Sequence, residues 1–542
     1  MDHGRGLDVH AGHDLDHHSS VRPPWSGSRG RLGRGTADEG AVMKSARKPA
    51  APGGTGLVIA PIAVAVLVLA AVVLIDPQMR AWSIPVSLWI AAVGFAAARL
   101  RDRIMLLALL ATYAFFLLGK PVMMGYFGYE GLGWYAEVED HLILTLSLGL
   151  LGIVAGYLLY PRSIIALLAH RRRQARSTAH EEARRQFAER FASAAELAYW
   201  ATLPFALAYL VTNIRTASQA GYTGLYVSGQ GGFASISAYG DFANTVVFCV
   251  FLATLASPRR TWVVLITAFT AQALIMVTGD RGDFGTFILM VFAYLVYRAR
   301  HQDTALIPLR RLMLIGGAAV TVLVPVFLLV GANREGAEGS DTLSGFLYGQ
   351  GSSLNVIEYG LRYESRLPEG HYLMTFASQG LLRLVFGGDG GLAGNTVAYA
   401  QSGTSLSHSL SYITLGDVYL TGRGVGSSFL AEGYADYGYA GVLLVAVAYG
   451  LLVAWIDAFG PGSVVANAVR LLSIPAIVFA PRGSASGFLA DVLSPVTLAV
   501  LLGTWFVALL LKDRRREDTS RVSPRVVSPT RVAQPPHLTS SR

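Results

Sequence analysis

The sequence predicts an all-α, polytopic membrane protein with about twelve transmembrane helices and a large extracytoplasmic loop between helices 9 and 10. Two observations predict this class. Of the 542 residues, 53% are hydrophobic and only 15% are charged, whereas soluble domains carry roughly 25% charged residues. The apolar residues also form runs that approach or exceed the roughly 17 to 25 residues of a spanning helix, not the short alternating segments of a transmembrane barrel.

The candidate spans follow these apolar runs in order along the chain. They are residues 57–75, 81–98, 104–118, 142–160, 197–212, 242–256, 262–278, 284–297, 312–331, 438–456, 464–480 and 491–511. Residues 56–511 therefore form the predicted membrane domain, with the long loop at 332–437. The polar segments 1–55 and 512–542 lack a core-forming pattern, which is typical of disordered tails.

The distribution of basic residues predicts how the chain is oriented. Every second loop is rich in arginine, and the intervening loops hold single basic residues, apart from the long loop 332–437, which carries five arginines. The positive-inside rule then places both termini on the cytoplasmic side of the membrane. Residues 161–195 form a predicted cytoplasmic basic helix, which anionic headgroups would anchor. The exception is the loop after Ile456, which is predicted to be cytoplasmic but carries Asp457 and no lysine or arginine.

One short turn concentrates charge at the membrane boundary. Asp280, Arg281 and Asp283 lie between the apolar runs 262–278 and 284–297. Charges held at membrane depth are costly, so a functional site is the default hypothesis. The alternative is a connecting turn whose charges neutralise one another.

Three arginines from three different hairpins are predicted at the outer boundary. They are Arg281, Arg334 after the ninth span, and Arg482 after the eleventh. A guanidinium fork at that depth suits an anionic headgroup, above all a pyrophosphate. The competing interpretation is interfacial snorkelling with local carboxylate pairing.

Several other classes of function are disfavoured. The chain has no phosphate-binding P-loop, so ATP-driven transport by this chain alone is not expected. No His-Glu-x-x-His or cysteine–histidine metal pattern occurs, and the single cysteine, Cys249, forms no intrachain disulfide. The five histidines of the segment 1–55 could bind a metal, but a solvated tail is the favoured interpretation. We expect no metal, no cofactor and no nucleic-acid partner. If arginines stabilise a leaving group, a base for the incoming hydroxyl remains to be found, and the candidates are Asp280, Asp283, His408 and Glu432.

Four motifs carry a resemblance to a known family. They are Thr-Gly-Asp-Arg-Gly at 278–282, Gly-Gln-Gly-Ser-Ser-Leu-Asn-Val-Ile at 349–357, the glycine-rich run at 424–441, and Pro-Arg-Gly-Ser at 481–484. In their order and membrane positions they resemble the Wzy-type O-antigen polysaccharide polymerases over roughly residues 190–510.

The resemblance implies an activity and further site residues. Members would polymerise oligosaccharide repeat units carried on undecaprenyl pyrophosphate, transferring the growing chain onto a fresh unit. The three arginines would hold the donor pyrophosphate, Gln350 and Ser352 would line a sugar groove, and Glu432 would orient the loop or act as a base. An Arg-x10-Gly pattern of some polymerases also matches at Arg383 and Gly394. Membrane lipids, a chain-length regulator and a flippase are the implied partners.

Two alternatives remain open at this point. A lipid-linked-glycan ligase shares the many-helix layout and the large outer loop, and differs only in its acceptor. A flippase or another transporter should show internal repeats and ionisable residues at mid-membrane. No clear repeat is visible, and the charges cluster at the outer boundary.

Overall fold

The computed structural model describes residues 81–127, 136–161, 178–227, 233–300, 305–332, 343–378, 394–460 and 463–511. Within these ranges the regular elements are all helical, and nine helices are long and apolar enough to cross a membrane. The all-α, multi-pass prediction is therefore confirmed. The predicted span 57–75, both tails, Arg334 and Arg383 lie outside the described residues, so the count of twelve spans stays a prediction.

Within the described residues the helices overlap each predicted span, although the third continues beyond residue 118 to Phe127 and the last begins at Pro495 instead of residue 491. In chain order they are α1 (Ser83–Ala97), α2 (Ile104–Tyr113), α3 (Gly119–Phe127), α4 (Ala136–Leu159), α5 (Thr178–Ala220), α6 (Gly224–Val227), α7 (Phe233–Ala253), α8 (Pro258–Ile275), α9 (Gly282–Ala299), α10 (Leu309–Ala332), α11 (Leu343–Gln350), α12 (Ser353–Arg362), α13 (Val397–Ala400), α14 (Leu406–Leu415), α15 (Phe429–Asp457), α16 (Val464–Phe479), α17 (Gly487–Val492) and α18 (Pro495–Leu510). A π-helical turn, Ala114–Leu118, joins α2 to α3.

Helix α5 shows that the boundary predicted between the basic helix and the following span is wrong. The basic helix predicted at 161–195 and the span predicted at 197–212 are, from Thr178 onward, a single helix that ends at Ala220. The reason is local propensity, since alanine, glutamate and arginine dominate this stretch and no glycine or proline interrupts it before Pro204. The drop in charge after Glu196 therefore marks a change of surroundings and not the end of a helix.

The most extensive helix–helix contact in the described part of the chain joins α4 to α15. Glycines at this contact allow the two helix backbones to approach each other closely. A Cβ on Gly156 would overlap the carbonyl oxygen of Val447, and one on Gly450 would overlap that of Ile153. Small residues at such positions allow membrane helices to gain packing energy, because lipid offers no hydrophobic drive for their association.

Gly156→Leu is expected to prevent stable packing of α4 against α15, because the side chain has no space at the contact. We expect most of the protein to be lost from the monodisperse peak in fluorescence-detected size-exclusion chromatography. The matched control is Gly317→Leu, because a Cβ added to this glycine of α10 would have no atom within 4 Å. Equal recovery of both variants would show that close glycine packing does not stabilise this contact.

Helix α15 is interrupted where the tenth span was predicted to begin. Gly438 has φ 59° and ψ −148°, a backbone conformation that a side chain would strain. The interruption brings Gly441 against the backbone of Gly433, so the segment before the break folds back onto the segment after it. A short helical segment that carries Glu432, at the end of α15 predicted to face outward, is thereby packed on the longer part of α15.

A buried network closes the opposite end of the bundle. The Asp457 carboxylate accepts hydrogen bonds from the Tyr157 hydroxyl at 2.9 Å and the Met105 N–H at 3.0 Å. Arg300 donates to the carbonyl oxygen of Asp457 at 2.6 Å and to that of Arg101. Three segments predicted to be cytoplasmic thus meet at one end. Asp457, the exception to the charge pattern, has its basic partner in Arg300 of another segment.

Candidate functional site

The turn between α8 and α9 is held by its own side chains. Gly279 has φ 90°, a left-handed conformation that favours glycine. The Asp280 carboxylate accepts hydrogen bonds from the N–H groups of Gly282 at 3.0 Å and Asp283 at 3.4 Å. Asp280 therefore caps the N-terminus of α9, and the turn presents Arg281 and Asp283 in fixed directions.

Four phenylalanine rings from three segments pack together beside this turn. They are Phe115, Phe116, Phe346 and Phe479, and we call them the aromatic cluster. Neighbouring ring centroids in it are 5.0 to 5.8 Å apart, in tilted or edge-to-face arrangements, which are the favoured geometries for aromatic pairs. The cluster therefore forms an apolar surface shared by the π-helical turn, α11 and α16.

Arg281 and Arg482 both lie on the aromatic cluster. The guanidinium carbon of Arg281 is 5.1 Å from the centre of the Phe346 ring, and that of Arg482 is 5.7 Å from the centre of the Phe116 ring. Arg281 also donates from Nη1 to the carbonyl oxygen of Phe327 at 3.0 Å. Two cations with fixed positions thus border one apolar surface, an arrangement suited to an anionic group attached to a lipid.

The π-helical turn Ala114–Leu118 gives this surface part of its shape. It carries Phe115 and Phe116 of the aromatic cluster, and Phe116 is 8% exposed. Turns of this kind are rare and are frequent at functional sites. From the sequence this stretch was predicted to be an ordinary part of the third span, because a π-helical turn has no composition that separates it from an α-helix.

Glu432 fixes the loop that carries Arg482. Its carboxylate is buried and accepts hydrogen bonds from the Ser427 hydroxyl at 2.7 Å, the Ser484 hydroxyl at 3.1 Å and the Ala485 N–H at 2.7 Å. Both carboxylate oxygens are thus engaged by donors of the protein. This geometry favours the orienting role over that of a base, the two roles that the sequence left open.

Glu432→Gln is expected to release the Arg482 loop, because the amide NH2 replaces an acceptor oxygen and opposes the donors that surround it. Leaving such a buried donor without its acceptor costs about 1–3 kcal/mol. We expect a lower midpoint of thermal unfolding together with reduced polymer synthesis. Glu364→Gln, which alters an exposed carboxylate of the outer segment, serves as the control. Unchanged stability and synthesis in Glu432→Gln would remove the orienting role.

A cavity of about 390 Å³ lies between α5, α7, α8, α9 and α16 and borders the α8–α9 turn. Among the described residues, its lining includes neither Arg281 nor Arg482 nor any ring of the aromatic cluster. Asp280 and Asp283 line it, together with Asp241 of α7. The Asp283 side chain is exposed to this space, and the other two carboxylates are near enough to repel it. Asp241 was not predicted as a site residue, although its position at the outer start of a predicted span was a usable signal.

His408, in the loop predicted to be extracytoplasmic, belongs to a cluster of tyrosines. Its ring stacks on Tyr399 with centroids 3.9 Å apart, and its Nδ1 is 2.7 Å from the Tyr419 hydroxyl oxygen. Burial lowers the pKa of His408 to about 4, so the imidazole is neutral at neutral pH. Asn395, which donates its N–H to the Tyr226 carbonyl at 3.3 Å, connects this outer segment to a residue that lines the cavity.

The remaining sequence-predicted residues divide into two groups. Gln350 and Ser352 are half-buried at the junction of α11 and α12, and Gln350 lies one helical turn after Phe346, on the same side of α11. Arg334 and Arg383 lie outside the described residues. The structure thus brings Arg281, Arg482 and the Gln350 segment together around the aromatic cluster, with Asp280 and Asp283 at the neighbouring cavity.

Comparison with known proteins gives one match. A family model described as O-antigen polysaccharide polymerase Wzy matches residues 57–515, which covers the whole of the site above. No curated protein and no solved structure matches the chain.

Proposed function

The chain belongs to the Wzy family of O-antigen polysaccharide polymerases, and on this premise we propose that it joins repeat units carried on undecaprenyl pyrophosphate into a surface polysaccharide. Members of the family act in the membrane on lipid-linked oligosaccharide repeat units. In the proposed reaction the growing chain leaves its lipid pyrophosphate and is transferred to the non-reducing end of a fresh unit. The observation that carries the proposal is the pair of fixed arginines beside a carboxylate-lined cavity.

The aromatic cluster and its two arginines are the proposed donor site. The lipid chain would contact the phenylalanine rings, and the guanidinium groups of Arg281 and Arg482 would bind the pyrophosphate. The contacts of the arginines with ring faces and with the Phe327 carbonyl hold them in place before the donor arrives. Preorganised cations of this kind stabilise the charge that develops on a leaving group. Arg334 and Arg383 are proposed as additional contacts.

The cavity is the proposed acceptor site, with Asp283 as the base. Asp280 is engaged as the cap of α9, whereas the Asp283 side chain is exposed to the cavity. The acceptor hydroxyl oxygen would attack the anomeric carbon of the growing chain as its proton passes to Asp283. The bond from that carbon to the pyrophosphate oxygen breaks, and the lipid pyrophosphate leaves with the electron pair and its charge on the arginines.

The chemistry is proposed to occur on the extracytoplasmic side, with both termini in the cytoplasm. Three segments that are predicted to be cytoplasmic meet around Asp457, which supports this orientation. Arg281 and Arg482 lie in turns at the opposite ends of their helices. The outer segments, with Gln350 and Ser352, are proposed to hold the sugars of the growing chain. A chain-length regulator and a flippase remain proposed partners.

The test of this function uses purified protein in detergent. The protein is incubated with lipid-pyrophosphate-linked repeat units from the parent strain, with a chelator and without nucleotide, and the products are separated on a gel. We expect a ladder of repeat lengths. Absence of a ladder, combined with movement of labelled lipid-linked units across liposomes by the same protein, would contradict polymerisation and identify a transporter.

A further inference from the structure

The cavity beside the α8–α9 turn is lined by both polar and apolar side chains. The polar ones include Asp241, Asp280, Asp283, Asn213, Thr278 and Tyr226. The apolar ones include Phe248, Phe287, Met290 and Leu472. A pocket with an apolar body and a few converging polar groups is the usual form of a small-molecule site, and 390 Å³ falls in the common range of roughly 300–1,000 Å³.

A buried hydroxyl in the cavity points to a polar occupant. Tyr199 lines the cavity and is wholly buried. Its hydroxyl oxygen has no hydrogen-bond partner among the residues that the structure describes. Leaving such a group without a partner is costly, and the cavity is the space from which a partner can approach. Nearby, the Asn244 amide is held in place by donating to the Tyr199 carbonyl at 3.0 Å and the Thr202 hydroxyl at 2.9 Å.

The charge of the cavity restricts what this occupant can be. Among the described residues, its lining includes three carboxylates and no lysine, arginine or histidine. An anionic group placed there would face like charges in a space of low dielectric constant, which opposes its binding. Hydroxyl and ammonium groups, in contrast, donate hydrogen bonds that carboxylate oxygens accept. The cavity therefore suits a hydroxyl-rich group without negative charge.

We propose that this cavity is the subsite for the terminal sugar of the acceptor, that it accepts a hexose or an amino sugar and rejects a uronic acid, and that Asp241 determines this specificity. The proposal rests on the polymerase function proposed above and adds the substrate class. Asp241 contributes from α7, and Asp280 and Asp283 contribute from the α8–α9 turn, so carboxylates from two segments would border the sugar. The buried Tyr199 hydroxyl would also bond to the sugar.

The single cysteine of the chain provides a direct readout. Cys249 lines the cavity, so a bound sugar should slow its reaction with methyl methanethiosulfonate. The probes are methyl glucoside, methyl glucosaminide and methyl glucuronide, applied to the purified full-length protein. We expect the first two to protect Cys249 and the glucuronide to require at least about tenfold higher concentration. Because the Cys249 thiol is itself buried, binding of the same three probes is also measured by isothermal titration calorimetry, and absence of binding by all three would overturn the proposal.

Two variants and a control connect the effect to Asp241. Asp241→Asn should allow the glucuronide to protect at concentrations close to those of the glucoside, whereas Gln272→Glu, which adds a carboxylate to the lining, should increase the discrimination. Asp417→Asn alters an exposed carboxylate of the outer segment and should behave as wild type. Equal protection by all three probes in the wild-type protein, or unchanged discrimination in both cavity variants, would overturn the proposal.

The two proposals fail separately in these experiments. Protection of Cys249 is measured without lipid-linked donor and without polymerisation. A ladder of products without sugar protection would leave the polymerase function standing and remove the cavity subsite. Sugar protection without a ladder would leave a sugar-binding cavity in a protein that does not polymerise, and the acceptor role of that cavity would be lost.

Discussion

Arg281→Ala and Arg482→Ala are each expected to abolish polymer formation while leaving the protein folded in the membrane. Each substitution removes one of the two cations that border the aromatic cluster. Removing a single preorganised donor from a site of developing charge lowers rates by about 10²–10³-fold. Loss of polymer should therefore be complete on a gel, while recovery in size-exclusion chromatography stays near wild type.

Lysine variants of the two arginines and an alanine variant of a distant arginine serve as controls for this prediction. Arg281→Lys and Arg482→Lys keep the charge but lose the planar fork that binds phosphates bidentately, so we expect partial activity. Arg215→Ala removes an exposed arginine of α5 and should leave polymer length unchanged. Polymer of normal length in both alanine variants would remove the pyrophosphate-binding role of the arginines.

Asp283→Asn is expected to lower the rate of chain transfer by about 10²–10⁴-fold, the contribution usually made by a positioned base. Asp280→Asn is its matched contrast. Asparagine caps helices about as well as aspartate does, so this variant should keep the α8–α9 turn and most of the activity. Single-turnover rates at saturating donor and acceptor measure the effect on the chemical step separately from binding.

The reverse order of effects would assign the base differently. If Asp280→Asn loses transfer and Asp283→Asn keeps it, Asp280 is the base and its capping of α9 is secondary. If both variants keep the wild-type rate, neither carboxylate takes the proton, and His408 becomes the next candidate to examine. Its neutral imidazole is able to accept a proton only weakly, since burial lowers its pKa to about 4.

The sequence alone was sufficient for the fold class and for the positions of most spans. Long apolar runs with few charges allow little besides membrane helices, and the alternation of arginines predicted which helix ends lie together. The loop after Ile456 has no basic residue of its own, yet the contact of Arg300 with Asp457 places it beside an arginine-rich segment, as the alternation predicts. The sequence did not show, however, that the basic helix and the following span form the single helix α5. Mean hydropathy changes where a helix leaves the membrane, and it does so whether the helix ends there or continues.

The site was predicted less completely, because its parts come from distant segments. Arg281 and Arg482 were identified from their charge at a membrane boundary. Their shared aromatic surface was not, since Phe116 and Phe346 are ordinary residues of apolar helices until packing brings them together. The same holds for Asp241, which lines the cavity with Asp283 only after α7 and α9 have packed around it.

The donor and the acceptor are proposed to bind at separate places beside the α8–α9 turn, the aromatic cluster and the cavity. This separation is tested by photo-crosslinking with a polyprenyl pyrophosphate that carries a benzophenone on its lipid chain, followed by peptide mass spectrometry. We expect adducts on residues around the aromatic cluster, such as Phe116, Phe346 and Phe479, and their loss in Arg281→Ala. Adducts on cavity residues such as Gln272 or Asp241 would contradict the separation and place the lipid donor where we assign the acceptor sugar.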